Sequence, residues 1–331
     1  MKKDIQDLDK YLASRPGVPP PAELPSPETV SPEQVAGMYE SGEIDLVCIL
    51  GPTASGKTRY AVEFCRTLSG MTPPRRAEIL SADSRQVYRG MDIGTGKDLD
   101  EYGEVPYHLI DIAPAGYRYN LYEYQRDFEK AYSDVRERGC IPVLCGGSGL
   151  YVEAATCGYT LPDVQPDPVL RLHLENEDEE VLRQHLLSLR PDAEEGTLQS
   201  KRRVIRAIEV ALWERDHPTT RSSFLPKNTF YIGTLVSRQE RVRRIDARLD
   251  ERLRGGLIEE VRGLLESGIP AQDLVYYGLE YKFVTQHVQG ILSYDEMRTL
   301  LANAIHQFAK RQMTWFRGME KKGIRIHWVE P

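Results

Sequence analysis

The sequence predicts an α/β fold: a P-loop NTPase-like parallel sheet with flanking helices, a helical C-terminal part and a small helical insertion. Three observations carry that expectation. Short apolar runs of buried-strand type alternate with amphipathic helical patterns, which is the signature of a parallel sheet covered on both faces. The first run leads into a glycine-rich turn that opens a helix. From Arg238 onward the apolar spacing is helical almost throughout.

In chain order, residues 1–44 hold seven prolines and few large apolar side chains, and predict a largely irregular extension with a helical turn or two near 32–39. DLVCIL (45–50) is the first strand, and an amphipathic helix follows over 57–68. AEILSA (77–82), YHLIDI (107–112), IPVLCG (141–146) and TFYIGTLV (229–236) repeat the strand pattern. Helices are expected over 122–138 and 201–214, then over 238–267 and 295–318. The piece 160–199 breaks the alternation and predicts a small acidic helical insertion, which divides a P-loop core of 45–159 plus 200–331.

The chain has 331 residues with 50 acidic and 43 basic side chains. No stretch approaches the roughly 18 consecutive apolar residues of a membrane span, and the first residues lack the apolar run of a signal peptide. A cytoplasmic protein without membrane contact is the expectation. Five cysteines, Cys48, Cys65, Cys140, Cys145 and Cys157, show no C-x-x-C spacing and read as small buried hydrophobes. Residues 160–198 carry ten acids against three arginines. The rest is neutral, with basic clusters at 201–206, 238–254 and 310–325 that suit an anionic partner or simply a solvated helix face.

Gly51-Pro-Thr-Ala-Ser-Gly-Lys57-Thr58 satisfies G-x-x-x-x-G-K-[ST] between a strand and a helix. Converging amides of Gly51, Thr53, Ala54, Ser55 and Gly56, the helix dipole and the Lys57 ammonium suit a diphosphate, while the Thr58 hydroxyl suits Mg²⁺. A kinase would also want an acid at a strand end for Mg²⁺, which Asp111 could supply. After the second strand, Asp83 is placed either to accept a proton or to cap a helix. Gly146-Gly-Ser148-Gly ends another strand and presents either a hydroxyl or a plain turn.

These segments together resemble the tRNA dimethylallyltransferases. The resemblance rests on GPTASGKT (51–58), DSRQVYRGMDIGTGK (83–97), VPYHLID (105–111), GGSGLY (146–151), RRVIRAIEV (202–210), the R-x5-R-I pattern from Arg238, and AKRQMTWFRG (309–318). It implies transfer of a dimethylallyl group from its diphosphate to N6 of an adenosine next to the anticodon, with Mg²⁺ as cofactor and one chain as the working unit. Asp83 is then the general base, and Ser148 and Arg238 stabilise the leaving diphosphate. Asp83, Ser84, Arg85 and Gln86 would hold the adenosine, and Arg202, Arg203 and Arg206 the RNA phosphates. Lys310 and Arg311 suit phosphate on charge. The flipped base and prenyl diphosphate are expected to share a groove between core and insertion.

The chain departs from the family pattern at several places. Ser148 stands for a usual Thr, Tyr107 for the first of a His pair, Gly96 for Ala, Glu280 for Gly, and Ile305-His306 for Thr-Arg. The insertion is short and acidic. Two alternatives follow: prenyl transfer to free adenine nucleotides, favoured by that acidity, and a P-loop small-molecule kinase using Asp111. Trp213, Trp315 and Trp328 read as packing residues, and His108 as a core histidine.

Overall fold

The computed structural model describes residues 25–158, 164, 166–193, 195–217 and 226–331. The first 24 residues of the extension therefore lie outside the described residues, as do 159–163, Gln165 and Glu194 of the insertion.

Strands β1 (Leu46–Leu50), β2 (Ala77–Ser81), β3 (Tyr88–Arg89), β4 (Tyr107–His108), β5 (Ala113–Pro114), β6 (Ile141–Gly146), β7 (Thr229–Thr234) and β8 (Ile326–Val329) form two sheets. The main sheet runs β4-β2-β6-β1-β7-β8 with every pair parallel. Side chains alternate across it. Leu46, Cys48 and Leu50 join an apolar cluster with Phe128, Tyr132 and Phe316, while Val47 and Ile49 join Phe64, Cys65 and Leu68 on the other face. Such two-sided burial is why the strands are continuous apolar runs.

Helices α1 (Pro32–Glu40) and α2 (Lys57–Ser69) cover the second face. The expected turn near 32–39 is thus a full helix whose Val35 and Ala36 are buried on the core. On the first face lie α3 (Leu121–Glu137), closed by an Asn120–Glu123 capping box, and α4 (Gly149–Thr156). Four cysteines are buried and Cys157 is exposed; all are free thiols.

The insertion consists of α5 (Pro168–Glu175), α6 (Glu179–Leu189) and α7 (Glu195–Leu198), followed by α8 (Lys201–Asp216). Leu174, Leu182 and Leu186 bury against Val204, Ile205 and Ile208 of α8 as a cluster separate from both sheet faces. A boundary at 199/200 therefore cuts a packed unit; α8 belongs with the insertion.

The C-terminal part holds α9 (Arg238–Arg254), α10 (Leu257–Glu266), α11 (Ala271–Tyr276), α12 (Leu279–Val288) and α13 (Tyr294–Lys321). One helix expected over 238–267 is two. Gly255 caps α9, and Gly256 takes φ +102°, which breaks the helix where only glycine is at ease. Strand β8 was hidden in the helical reading; four residues are too few to show a period.

The strand expected over 107–112 stops at His108. Leu109 and Asp111 take positive φ, and the Asp111 and Ala113 N–H groups donate to the Gln86 and Val87 carbonyls. Pairing with that neighbouring loop draws the chain off the sheet edge.

Candidate active site

Strands β2, β6 and β1 are neighbours, so the turns after them share one carboxyl edge. This is where doubly wound sheets place ligands. The turns after β2 and β6 are tied by direct contacts. The Ser84 N–H donates to Ser148 Oγ at 3.1 Å, and the Ser148 N–H to the Ala82 carbonyl at 3.4 Å. A Cβ on Gly146 would lie 2.3 Å from the Ala82 carbonyl oxygen, so only glycine permits this approach.

The loop after β1 is built partly for shape and partly for ligand. Ser55 is fully buried, with Oγ 2.6 Å from Thr234 Oγ1 on β7, and a Cβ on Gly51 would strike both hydroxyls. These two residues anchor the loop. Ala54 and Gly56 take left-handed φ, and with Lys57 and Thr58 they line a cavity of about 770 Å³. Burial pulls the Lys57 pKa below its ordinary value; Asp83 is among the groups that oppose the shift.

Gln312 on α13 spans two of the turns. Its Oε1 accepts from the Thr53 N–H at 2.8 Å, and its Nε2 donates to the Gly147 carbonyl at 2.8 Å. Sequence reasoning quoted the segment around Gln312 without giving this residue a role. An amide inside a basic helical motif, buried at 7% exposure, was the available signal.

Asp83 caps no helix, since a turn and not a helix follows it. One oxygen accepts the Arg85 N–H at 2.9 Å, and the other has no hydrogen-bond partner among the described residues. Arg85 lies over the Tyr276 ring at 5.7 Å. Gln86 spends its Nε2 on the Gly96 carbonyl at 3.1 Å.

The far wall of the cavity is α9. Arg243, Arg244, Arg248 and Arg252 line it, while Arg238 is exposed at the start of the helix and is not a lining residue. Six residues separate Arg238 from Arg244, roughly 9 Å along the axis. Spacing marked the first arginine of the helix; the fold turns later ones toward Lys57. Among the described residues, those that line the cavity all belong to core elements.

Two departures from the family pattern form one packing unit. A Cβ on Gly96 would come within 1.5 Å of the Arg252 guanidinium, and Arg252 pairs with Glu280 at 3.6 Å. Burial, with Arg248 adding to it, lowers the Arg252 pKa; burial raises that of Glu280, opposed by Arg252. Ile305 is buried and His306 lies 2.9 Å from Asp246, so that pair joins α13 to α9.

In the insertion, Arg203 donates to the Gly196 carbonyl, and Arg206 to the Val164 carbonyl and Glu209. Arg202 is exposed and has no partner among the described residues. The acids are largely used locally. Asp167 and Asp178 cap α5 and α6, and Glu179 and Glu209 pair with Arg183 and Arg171.

Asp111 pairs with the buried Lys97. It follows β4 at the sheet edge, three strand spacings from β1, about 14 Å. That placement removes it from Thr58. His108 lies 2.6 Å from Glu78, which also binds Arg138, and is structural. Trp328 is buried; Trp315 packs on Gly149 yet stays 39% exposed.

A parallel sheet with a glycine-rich loop after β1, an acid after β2 and a hydroxyl after β6 has a P-loop-like fold. The model of the family IPP transferase matches residues 86–319, and the chain belongs to that family. It is 51% identical over 289 residues to tRNA dimethylallyltransferase 2 of Porphyromonas gingivalis, covering 86% of this chain and 93% of that one. It is 49% identical over 292 residues to tRNA dimethylallyltransferase 2 of Bacteroides fragilis, covering 87% and 93%. The tRNA isopentenylpyrophosphate transferase of Bacillus halodurans superposes with TM-score 0.62 at 32% identity, covering 86% of this chain and 89% of that one. A eukaryotic dimethylallyltransferase acting on tRNA shares the fold with TM-score 0.69 at 20% identity, covering 86% and 74%.

Proposed function

We propose that this protein transfers a dimethylallyl group from dimethylallyl diphosphate to N6 of the adenosine beside the anticodon of tRNA. The observation that supports it most is the meeting of Lys57, Asp83 and Ser148 at adjacent strand ends on one sheet edge. The P-loop amides and Lys57 hold the diphosphate as a leaving group. As the allylic C–O bond breaks, the diphosphate takes its electron pair, and charge on the bridging oxygen meets Lys57 and the Ser148 hydroxyl. The adenine N6 forms the new C–N bond and passes its proton to the unpartnered Asp83 oxygen. The adenosine must leave its stack to reach this edge.

Mg²⁺ fits the donor set only as an ion brought with substrate. The described residues contain no group of three acids, histidines or cysteines able to hold a metal. The Thr58 hydroxyl opens onto the cavity, and Mg²⁺ characteristically completes its shell with phosphate oxygens and water. When bound, it would neutralise the leaving diphosphate.

Arg202 would meet RNA phosphate directly, and the outer residues Arg243 and Arg244 of α9 would grip the diphosphate or the strand beyond it. We take the enzyme to act as a single chain in the cytoplasm. The described residues contain no helix long and apolar enough to cross a membrane.

The test offers purified protein dimethylallyl diphosphate and Mg²⁺ with an anticodon stem-loop and AMP side by side. Modified RNA is the expected outcome. Product on AMP alone would move the protein to free-nucleotide transfer, and phosphoryl transfer from ATP would revive the kinase reading.

A further inference from the structure

The carboxylate of Glu260, on α10, is saturated by donors from elsewhere in the chain. Its Oε2 accepts the N–H groups of Asp92 and Ile93 at 2.8 and 2.7 Å. Its Oε1 accepts the Gly94 N–H at 3.0 Å and the Tyr281 hydroxyl at 2.7 Å. Three successive amides converging on one anion make a nest of the kind that otherwise binds phosphate or carboxylate ligands. Here the protein supplies the anion itself. Tyr281 is 1% exposed, and burial, reinforced by Glu260, pushes its pKa up and keeps it a donor. A Cβ on Gly94 would come 2.6 Å from Tyr281 Cζ, so the hydroxyl end of the ring packs directly against the loop.

The clipped loop is a wall of the active-site cavity, because Asp92 and Ile93 line it with Lys57 and Thr58. It is also coupled to the catalytic segment. Lys97, 2% exposed, holds the Asp92 carboxylate and the Tyr88 carbonyl at 2.6 Å each, and pairs with Asp111. Gln86 donates to the Gly96 carbonyl. A shift of 92–97 is therefore transmitted to 83–88, the stretch that carries Asp83. Glu260 itself is not a lining residue of the cavity.

We propose that Glu260 is a positioning residue for prenyl transfer: it fills the amide nest of Asp92–Gly94 and so holds the Asp83–Gln86 segment in register with the P-loop cavity. The inference rests on the transferase reading above. It separates Glu260 from Glu259, its neighbour on α10, whose 3.8 Å pair with Arg262 remains on the helix surface.

The test uses the full chain with Glu260→Ala, assayed beside wild type for prenyl transfer to the stem-loop, for pyrophosphate binding by calorimetry, and for amide exchange. A displacement on the order of 1 Å costs about a hundredfold, so kcat should fall by roughly that factor while pyrophosphate affinity stays within about threefold. Exchange at Asp92–Gly94 should rise while β1 and β6 stay protected. Added formate should refill the nest and restore about tenfold of the lost kcat. Wild-type kcat in Glu260→Ala, or a loss that formate leaves untouched, would overturn the proposal. Should Glu260→Ala fail to fold, Glu260→Asp, which withdraws the carboxylate by one methylene, decides the matter. A drop in kcat at unchanged pyrophosphate affinity supports positioning, and parallel loss of both overturns it. An inactive wild type would instead sink the transferase reading, and exchange at Asp92–Gly94 would still test the nest.

Discussion

At the sheet's carboxyl edge, contacts join residues far apart in the chain: Thr53 with Gln312 across 259 positions, and Ser55 with Thr234 across 179. In the insertion the partners lie closer in the chain, from Arg206 with Glu209 three positions on to Arg206 with Val164 across 42. The edge is a surface that several strand ends build jointly, so its geometry is as good as the whole sheet. The insertion is a small separate cluster, and among its acids Asp167 and Asp178 cap helices while Glu179 and Glu180 pair with Arg183.

The largest effect that would sharpen the contrast is at Asp83. Asp83→Asn should lower turnover by about 10²–10⁴, the usual worth of a general base, with pyrophosphate binding by calorimetry unchanged. A folding defect in its place would make Asp83 structural. Gln312→Ala comes next, because it strands the Thr53 N–H and the Gly147 carbonyl. At about 1–1.5 kcal/mol per lost bond, pyrophosphate affinity should fall roughly 30–140-fold. Unchanged affinity would show that the turns hold their places without this bridge.

Gly96→Ala should cost about 3 kcal/mol in chemical denaturation. It forces Arg252 away from Glu280 and puts a Cβ at φ +63°. Recovery in Gly96→Ala/Glu280→Gly would show that the two positions act as one unit.

At the opposite end of β2, burial raises the Glu78 pKa but bonds from Arg138 and His108 outweigh it and hold it at about 2. Because the folded pKa lies below the unfolded value, this stability is present above about pH 4.5 and is lost as pH falls toward 2. Glu78→Gln should cost about 2 kcal/mol at neutral pH, discounted for the half-exposed Arg138, and converge with wild type in acid. A constant difference across pH would refute the ion-pair account.

The smallest effects lie in the insertion. Arg202→Ala should leave stability alone and reduce the salt slope of RNA binding by about 1, as the loss of one phosphate contact does. Arg206→Ala should instead destabilise the insertion by about 1 kcal/mol, since it releases the Val164 carbonyl and Glu209. Equal effects on RNA affinity would mean that both arginines face the strand.

The sequence by itself determined whatever repeats or pairs locally. Apolar runs declared the strands, helical spacing declared α2, α3, α8 and α13, and the glycine-rich segments at 51–58 and 146–151 declared turns after strands. Those signals are legible because burial on two faces, a 3.6-residue period and a glycine turn constrain consecutive residues. Only the tertiary structure decided that Gln312 bridges two turns, that Arg244, Arg248 and Arg252 line one cavity with Lys57, and that Glu260 occupies a nest 166 to 168 positions away. Each of these depends on how helices pack on the finished sheet. A side chain's spacing along its own helix states which face it shares, but not what that face meets.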